Sequence, residues 1–340
     1  MTILKATEED IRFAYRLLLG RQPDPAGLAH FSALLRGDGI SPKDLAEHFM
    51  QSPEFYSAHP GLFKDIGSSS TPPDSPIRLT CSPCTMEAID SPVFRFWANQ
   101  LKDLPGRPHR KLWEWCFIAQ ALYERNVLRK GSRGLGFAVG QEPLTALFAS
   151  RGCTVVATDL DQHLANREGW VEGNQHAAGL EQLNMRGICP EETLRNNVSF
   201  RSVDMREIPT DLRGFDFLWS SCALEHLGSL ENGVDFVESA MKCLVPGGIA
   251  VHTTELNCDS NDETIEKGHD VIYRQRDLLR LVKTLEQRGH RVSPMNFSLG
   301  KTESDLYVDE VPYKGMPHIR LRIGKFSSTS FGLIVIAGDS

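Results

Sequence analysis

Two segments decide the fold: GLGFAVGQEPL, Gly134–Leu144, and CTVVATD, Cys153–Asp159. The first reads as a strand over Leu135–Val139, a turn of small residues, and a helix opened by Pro143. The second reads as a strand that ends in a carboxylate. Glycine in such a turn lets a ligand come close to the backbone. The following helix start offers N–H groups and a partial positive charge. A carboxylate at the end of the second strand, about 20 residues beyond the turn, can accept hydrogen bonds from both hydroxyls of a ribose. The spacing Gly134, Gly136, Gly140 is GxGxxxG. By itself it admits a nicotinamide-nucleotide turn as readily as an adenosyl site, or only a tight strand–helix turn.

Outward from these segments, short apolar runs alternate with amphipathic stretches. Further strands are predicted over Val198–Val203, Phe215–Ser220, Ile249–Thr254, His290–Phe297, Ile319–Ile323 and Phe331–Ala337. Helices are predicted over Pro143–Ser150, Glu168–Leu183, Leu230–Cys243 and Arg276–Arg288. Such alternation makes an α/β domain with a mostly parallel, doubly wound sheet. The third strand exits through VSFRSVDMREIP. Asp204 is placed there to take an adenine amino group, and the Met205 backbone to reach the ring. The fourth runs through FDFLWSSCALEHLGSL, with Ser221 at its exit, and the fifth opens with CLVPGGIAVHTT.

The glycine turn, Asp159, Asp204-Met205, SCALEHL and LVPGG occur in this order. Over residues 131–300 the series resembles the class I S-adenosylmethionine-dependent methyltransferases. TSFGLIVIAG suits their closing antiparallel strand. KLWEWCFIAQAL, VGQEPL, SSCALEHLGSLE and HTTELN carry a narrower likeness to bacterial methyltransferases encoded among surface-polysaccharide functions. The resemblance implies a Rossmann-like sheet of seven strands with S-adenosyl-L-methionine as cofactor. It implies cofactor contacts from Gly136, Ala138, Gly140, Glu142, Asp159, Leu160, Asp204, Met205 and Ser221. It also implies methyl transfer, with oxygen of a saccharide or glycan-linked small molecule as the acceptor. The sequence departs from the family turn at three places. Gly136 stands at the acidic position, Ala138 at the first glycine and Glu142 at the third. Ala138 is tolerated if its φ is negative. Glu142 either replaces the missing carboxylate and binds the methionine amino group, or is a favourable charge at a helix start.

The sulfonium methyl is already electrophilic, so the protein mainly aligns donor and acceptor. A hydroxyl acceptor also invites a general base. Glu255, His252 and His318 are the candidates, Glu255 being favoured because it lies furthest toward the carboxyl end of the fifth strand. His226 reads as a packing residue. GKTESDLYVDEVPYKGMPHIRLRI reads as a lid whose Asp305, Asp309, Tyr313 and His318 meet sugar hydroxyls or pair among themselves. Trp170, Gln175 and His176 are candidates for a second wall. A nicotinamide-dependent oxidoreductase is the rival enzyme, disfavoured because no Tyr-xxx-Lys pair follows the fourth strand. A non-catalytic scaffold in glycan assembly is the other alternative.

Residues 1–57 read as a small all-α module. One helix follows Thr7 and Asp10 and buries Ile11, Ala14, Leu17 and Leu18. A second follows Asp24-Pro25, with Leu28, Phe31, Leu34 and Leu35 as its stripe and Gly37 as its stop. A third follows Ser41 and buries Leu45 and Phe49. YRLLLGRQPDPAGLAHF with the later SPEF resembles a bacterial domain of unknown function that is similar to phycobilisome-linker repeats. That implies an interaction module and a protein partner. Residues 58–92 read as a linker, since GSSSTPPDSP builds no packed element. Residues 93–340 are the catalytic domain with a helical lead-in, whose Trp113, Trp115 and Phe117 read as core. The chain has 340 residues, 41% hydrophobic and 24% charged, with net charge -7. That is globular composition and argues against a nucleic-acid partner. The basic run Arg107–Lys111 reads as a solvated helix start. With no apolar run near Met1 and none of membrane length, the expectation is a soluble, cytoplasmic protein without membrane insertion. Eight cysteines include one CxxC pair, Cys81 and Cys84. Without a second pair, no metal site is expected.

Overall fold

The structure is a computed structural model that describes residues 5–36, 40–50, 52–59, 71–74, 78–167 and 176–338. The chain forms two compact units. One comprises Met1–Ser70 with Lys102–Leu104, the other Thr71–Leu101 and Pro105–Ser340.

The first unit contains helices α1 (Glu8–Leu18), α2 (Pro25–Arg36), α3 (Pro42–Met50) and α4 (Pro53–Ala58). Local chemistry sets their starts. Thr7 and Asp10 form a reciprocal capping box, Ser41 and Asp44 repeat it, and Ser52 accepts from the Phe55 N–H. The buried face of α1 is Ile11, Ala14 and Tyr15, while Leu17 is 67% exposed. The sequence reading put Leu17 inside and missed Tyr15, whose ring packs 4.8 Å from Phe49, itself stacked 4.5 Å from Phe31. An aromatic that fits a cluster displaces a leucine one turn-step away. The expected stop at Gly37 lies outside the described residues.

The second unit is built on a ten-stranded sheet. Its strands are β1 (Ser82–Pro83), β2 (Arg133–Phe137), β3 (Thr154–Asp159), β4 (Val198–Ser202), β5 (Phe215–Ser221), β6 (Leu244–Asn257), β7 (Arg291–Val292), β8 (Val308–Asp309), β9 (Arg320–Ile323) and β10 (Phe326–Ile336). The order is β4-β3-β2-β5-β6-β10-β9-β8, with β1 and β7 paired to β10. Strands β2 to β6 are parallel and β10 is antiparallel to β6, from Ser328↔Asn257 to Ile336↔Ile249. The sheet therefore winds outward in both directions from β2. The point where such winding reverses opens a crevice at the carboxyl ends of the strands.

Helices α5 (Met86–Asp90), α6 (Pro92–Gln100), α7 (Arg110–Glu124), α8 (Leu144–Ser150), α9 (Gln162–Arg167), α10 (Glu191–Asn197), α11 (Leu230–Ala240), α12 (Gln275–Gln287) and α13 (Glu303–Leu306) complete this unit. Helix α7 starts where the His109 side chain accepts from the Lys111 N–H, and it packs on β5, β6 and β10. Nearly its whole circumference is buried, Trp113, Trp115 and Phe117 included.

Four readings are corrected. Residues 78–92 are not linker: β1 and α5 bury Cys81, Cys84 and Ile89 in the main core. The ladder that β1 makes with Gly332 and Phe331 is a long-range contact with no local signature. The strand expected over Ile249–Thr254 is longer, Leu244–Asn257, and takes in LVPGG where the register slips between Phe215 and Phe217 so that proline and glycine fit as a bulge. The strand at residues 290–297 shrinks to β7. The helix expected over Glu168–Leu183 leaves only a 3-10 turn at Leu180–Asn184 among the described residues.

Gly136 serves this packing. A Cβ there would run into Val139 and the Trp219 indole, across the β2–β5 pairing of Gly136 with Trp219. Gly136→Ala is expected to destabilise the chain by about 1–3 kcal/mol through overpacking. Chemical denaturation measures this, and an unchanged midpoint would contradict it.

Candidate active site

A cavity of about 800 Å³ opens at the carboxyl ends of β2, β3, β4 and β5. Small-molecule sites occupy about 300–1,000 Å³. Of the residues expected to hold the cofactor, Ala138, Gly140, Glu142, Asp159, Leu160, Asp204, Met205 and Ser221 line it, and Gly136 does not. Gly136 lies one step back inside the sheet, where packing alone explains its small size.

The β2 exit is strained. Ala138 has φ +46, and Cys222, at the β5 exit, has φ +44. The negative φ expected for Ala138 is not found. The turn must point the Val139 N–H back to the Thr158 carbonyl at 3.0 Å, which the left-handed conformation achieves. Both strained residues line the cavity. Strain of this sort costs about 1–3 kcal/mol per residue.

Asp159 organises the adjacent loops. Its Oδ2 accepts from the Gly140 N–H at 3.1 Å and the Ala177 N–H at 3.0 Å, and its Oδ1 accepts from the Leu160 N–H at 2.8 Å. Oδ1 therefore keeps acceptor capacity toward the cavity. Burial raises this carboxyl above its ordinary pKa, against those three donors. Asp204 is held by Arg206, whose guanidinium keeps its carboxyl low. His176 lines the cavity, its Nε2 2.7 Å from the Leu160 carbonyl, whereas Trp170 and Gln175 lie outside the described residues.

The floor is supplied by α7, which the sequence reading took for core and a solvated start. Arg110 is 7% exposed and Glu114 fully buried. Glu114 accepts from Ser221 Oγ and Cys222 Sγ, each at 3.1 Å, and from Ser330 Oγ at 2.5 Å. Lys111 Nζ lies 2.8 Å from Glu114 and 3.6 Å from Glu142. Burial alone would raise Glu114, but Lys111 and Arg110 overcome it and hold its carboxyl at about 2. Glu142 goes the other way. Burial raises it to about 7, only partly offset by Lys111. Trp115 and Ser221 direct donors at the same carboxyl and also work to lower it, and Trp115, Glu142 and Ser221 all line the cavity.

None of the three expected catalytic residues lines the cavity. Glu255 binds the Arg110 guanidinium with both oxygens and accepts from Ser328 at 2.6 Å. His252 is fully buried, 2.8 Å from Ser220 Oγ and edge-on to Phe236, and burial lowers it to about 3. The alternation along β6 turns it to the opposite sheet face. His318 donates from Nδ1 to the Asp309 carboxylate at 2.6 Å, and its backbone pairs with Pro108 and Arg110. The expected lid is thus built structure. Asp309 also accepts from Lys314 and Gly315, Asp305 from Met86 and Thr302, and Tyr313 donates to the Arg322 carbonyl. Instead His109, His226 and His269 reach the cavity. His109 Nδ1 accepts from the Lys111 N–H, which leaves a neutral ring its proton on Nε2. The signal for the α7 residues was Arg110, Lys111 and Glu114 at helical spacing beside Trp113 and Trp115, where charge on a buried face demands partners.

Residues 135–252 match a family model described as a methyltransferase domain, and residues 5–59 match one described as a domain of unknown function. The chain carries a class I S-adenosylmethionine-dependent methyltransferase domain, and S-adenosylmethionine is its cofactor. No curated protein matches the chain at a significant level. Among solved structures it is similar to a proposed sarcosine dimethylglycine methyltransferase from Galdieria sulphuraria, with 15% identity, 67% of this chain and 85% of that one covered, and a TM-score of 0.42. It is similar also to an S-adenosylmethionine-dependent methyltransferase from Aquifex aeolicus, with 14% identity, 74% and 96% covered, and a TM-score of 0.38. No helix among the described residues is long and apolar enough to cross a membrane.

The state of Glu142 has a measurable consequence. Its folded pKa lies above the ordinary carboxyl value of 4.5. Its contribution to stability is therefore full below about 4.5 and lost as pH rises through about 7. Glu142→Gln is expected to gain on the parent between pH 5 and pH 8 by up to about 3 kcal/mol. Urea unfolding at both pH values checks this, and a pH-independent difference would contradict it.

Proposed function

We propose that this chain transfers a methyl group from S-adenosylmethionine to a hydroxyl oxygen of a saccharide or glycan-linked small molecule. The observation that carries the methyl-donor half is the convergence of the exits of β2, β3, β4 and β5 on one cavity. The saccharide half is supported by the likeness of KLWEWCFIAQAL, SSCALEHLGSLE and HTTELN to polysaccharide-associated methyltransferases, and by polar groups on the cavity wall.

The cofactor supplies an electrophilic methyl on sulfonium sulfur. Asp159 holds the ribose through the acceptor capacity left on Oδ1. The Asp204–Met205 exit holds the adenine. Glu142 and Lys111 form a charge pair that matches the methionine zwitterion. The Glu142 carboxylate would take the ligand's ammonium, and the Lys111 ammonium its carboxylate. Glu255 is a positioning residue, since it acts through Arg110 on the α7 network. His109, with its Nδ1 occupied by the helix cap, donates from Nε2 toward an acceptor oxygen. The bound cofactor would supply the methyl, and the part of this chain is to align the acceptor hydroxyl with it and to leave a path for the hydroxyl proton to water.

Two measurements test this. Isothermal titration with S-adenosylhomocysteine and with 5′-methylthioadenosine, which lacks the amino-acid end, separates the subsites. Lys111→Met and Glu142→Gln are each expected to weaken the first ligand about 10- to 100-fold, as loss of a charged hydrogen bond implies, and to spare the second. Asp159→Ala is expected to weaken both. Equal loss of both ligands in all variants would contradict the zwitterion assignment. For the acceptor, isotopically labelled cofactor with glycan fractions and mass spectrometry is expected to place label on a saccharide. Label on protein or nucleic acid would contradict the acceptor class.

A further inference from the structure

One cluster on the cavity wall stands apart from the residues assigned above to the cofactor. His226 ends the 3-10 turn Leu224–His226 after β5, and His269 lies in the connection between β6 and α12. Both line the cavity. Their Nδ1 atoms lie 3.0 and 3.2 Å from a single oxygen, Asp270 Oδ1, and His226 Nδ1 is 3.1 Å from the His269 carbonyl oxygen. Metal–ligand bonds of about 2.0–2.2 Å, met at tetrahedral or octahedral angles, set donor atoms about 3.0–3.5 Å apart. Two imidazoles and one carboxylate are the donor set that first-row divalent ions take with positions left open.

Backbone hydrogen bonds also join the two loops around this cluster. The Gly268 N–H donates to the Gly228 carbonyl, Val271 to Glu225 and Leu230 to Glu266, each at 3.1 Å. The donors are thus brought together before any ion arrives, which lowers the ordering cost of binding. The Glu225 side chain is fully buried beside His226. Thr254 donates to one of its oxygens at 3.1 Å, and the other, Oε1, has no hydrogen-bond partner. A buried carboxylate so placed adds to the negative potential of Asp270.

We propose that His226, His269 and Asp270 bind one divalent transition-metal ion on the cavity wall formed by the β5 and β6 exits. Its role rests on the methyl transfer proposed above. There it would hold an acceptor oxygen and acidify that hydroxyl, so that the proton passes to water without a side-chain base. That accounts for a cavity which none of Glu255, His252 and His318 reaches. The site itself is independent of the transfer reading. The sequence spacing could not announce it, because 43 residues separate the histidines.

The test uses the full chain freed of metal by chelation. Titration with Co²⁺, followed by its visible absorption, and with Zn²⁺ by calorimetry is expected to show one ion per chain. His269→Ala and Asp270→Asn alter side chains that are 52% and 44% exposed, so both variants are expected to fold. Each should weaken metal binding tenfold or more while S-adenosylhomocysteine affinity stays within about twofold, a difference below about 0.5 kcal/mol. Cys222→Ser is expected to leave metal affinity unchanged. Binding that is absent, substoichiometric, unaltered in both variants, or lost through Cys222→Ser would overturn the proposal. Because cofactor-product affinity is read in the same samples, failure of the metal site and failure of the methyltransferase reading give different results.

Discussion

The side chain on which the cavity depends is Glu114. It sits wholly inside the protein, on α7, and it is charged. A buried carboxylate is tolerated only when donors and cations surround it, because removing it from water costs several kcal/mol. Here Lys111 and Arg110 of its own helix and hydroxyls from β5 and β10 supply them. Arg110 in turn is clamped by Glu255 from β6. One helix is thereby fixed to the carboxyl ends of β5 and β6 and to the neighbouring stretch of the antiparallel β10, and Lys111 is held over the cavity. Loss of one partner in such a set leaves an uncompensated charge, at a cost of about 3–5 kcal/mol. The arrangement therefore settles in one geometry rather than many.

The same constraint explains the strain. Cys222 must place its thiol on Glu114 and its N–H on Thr253 Oγ1 directly after β5 ends, and a left-handed φ at a non-glycine residue is the outcome. Ala138 pays a similar conformational penalty across the cavity. Packing of Trp219 against Gly136 and hydrogen bonds with Thr158 over-determine the Ala138 turn. Rigid strand exits of this kind suit a reaction in which alignment is most of what the protein contributes.

Local pattern made much of this legible. The alternation of strands and helices, Asp159 at a strand end, Asp204-Met205 at the next, and the capping boxes at Thr7 and Ser41 depend on neighbours a few residues away. What escaped depends on distant ones. Arg110 meets Glu255 across 145 residues, and His318 is consumed by Asp309 and the start of α7. His252 sits on the strand from which a base was expected, but its parity turns it to the other face. Residues 78–92 look like linker until Cys81 and Cys84 are seen under β10. Glu142 was correctly noticed as an oddity of the turn. That Lys111 stands opposite it needs the folded chain.

The claim that binds these observations is that the strand-end cavity receives the methyl donor with its amino-acid end against Lys111 and Glu142. A crystal structure grown with S-adenosylhomocysteine tests it most directly. Density is expected with ribose at Asp159, adenine at Asp204 and Met205, and the homocysteine ammonium and carboxylate at Glu142 and Lys111 respectively. A cavity that stays filled only by solvent, or a ligand bound with its adenine against α7, would contradict the account.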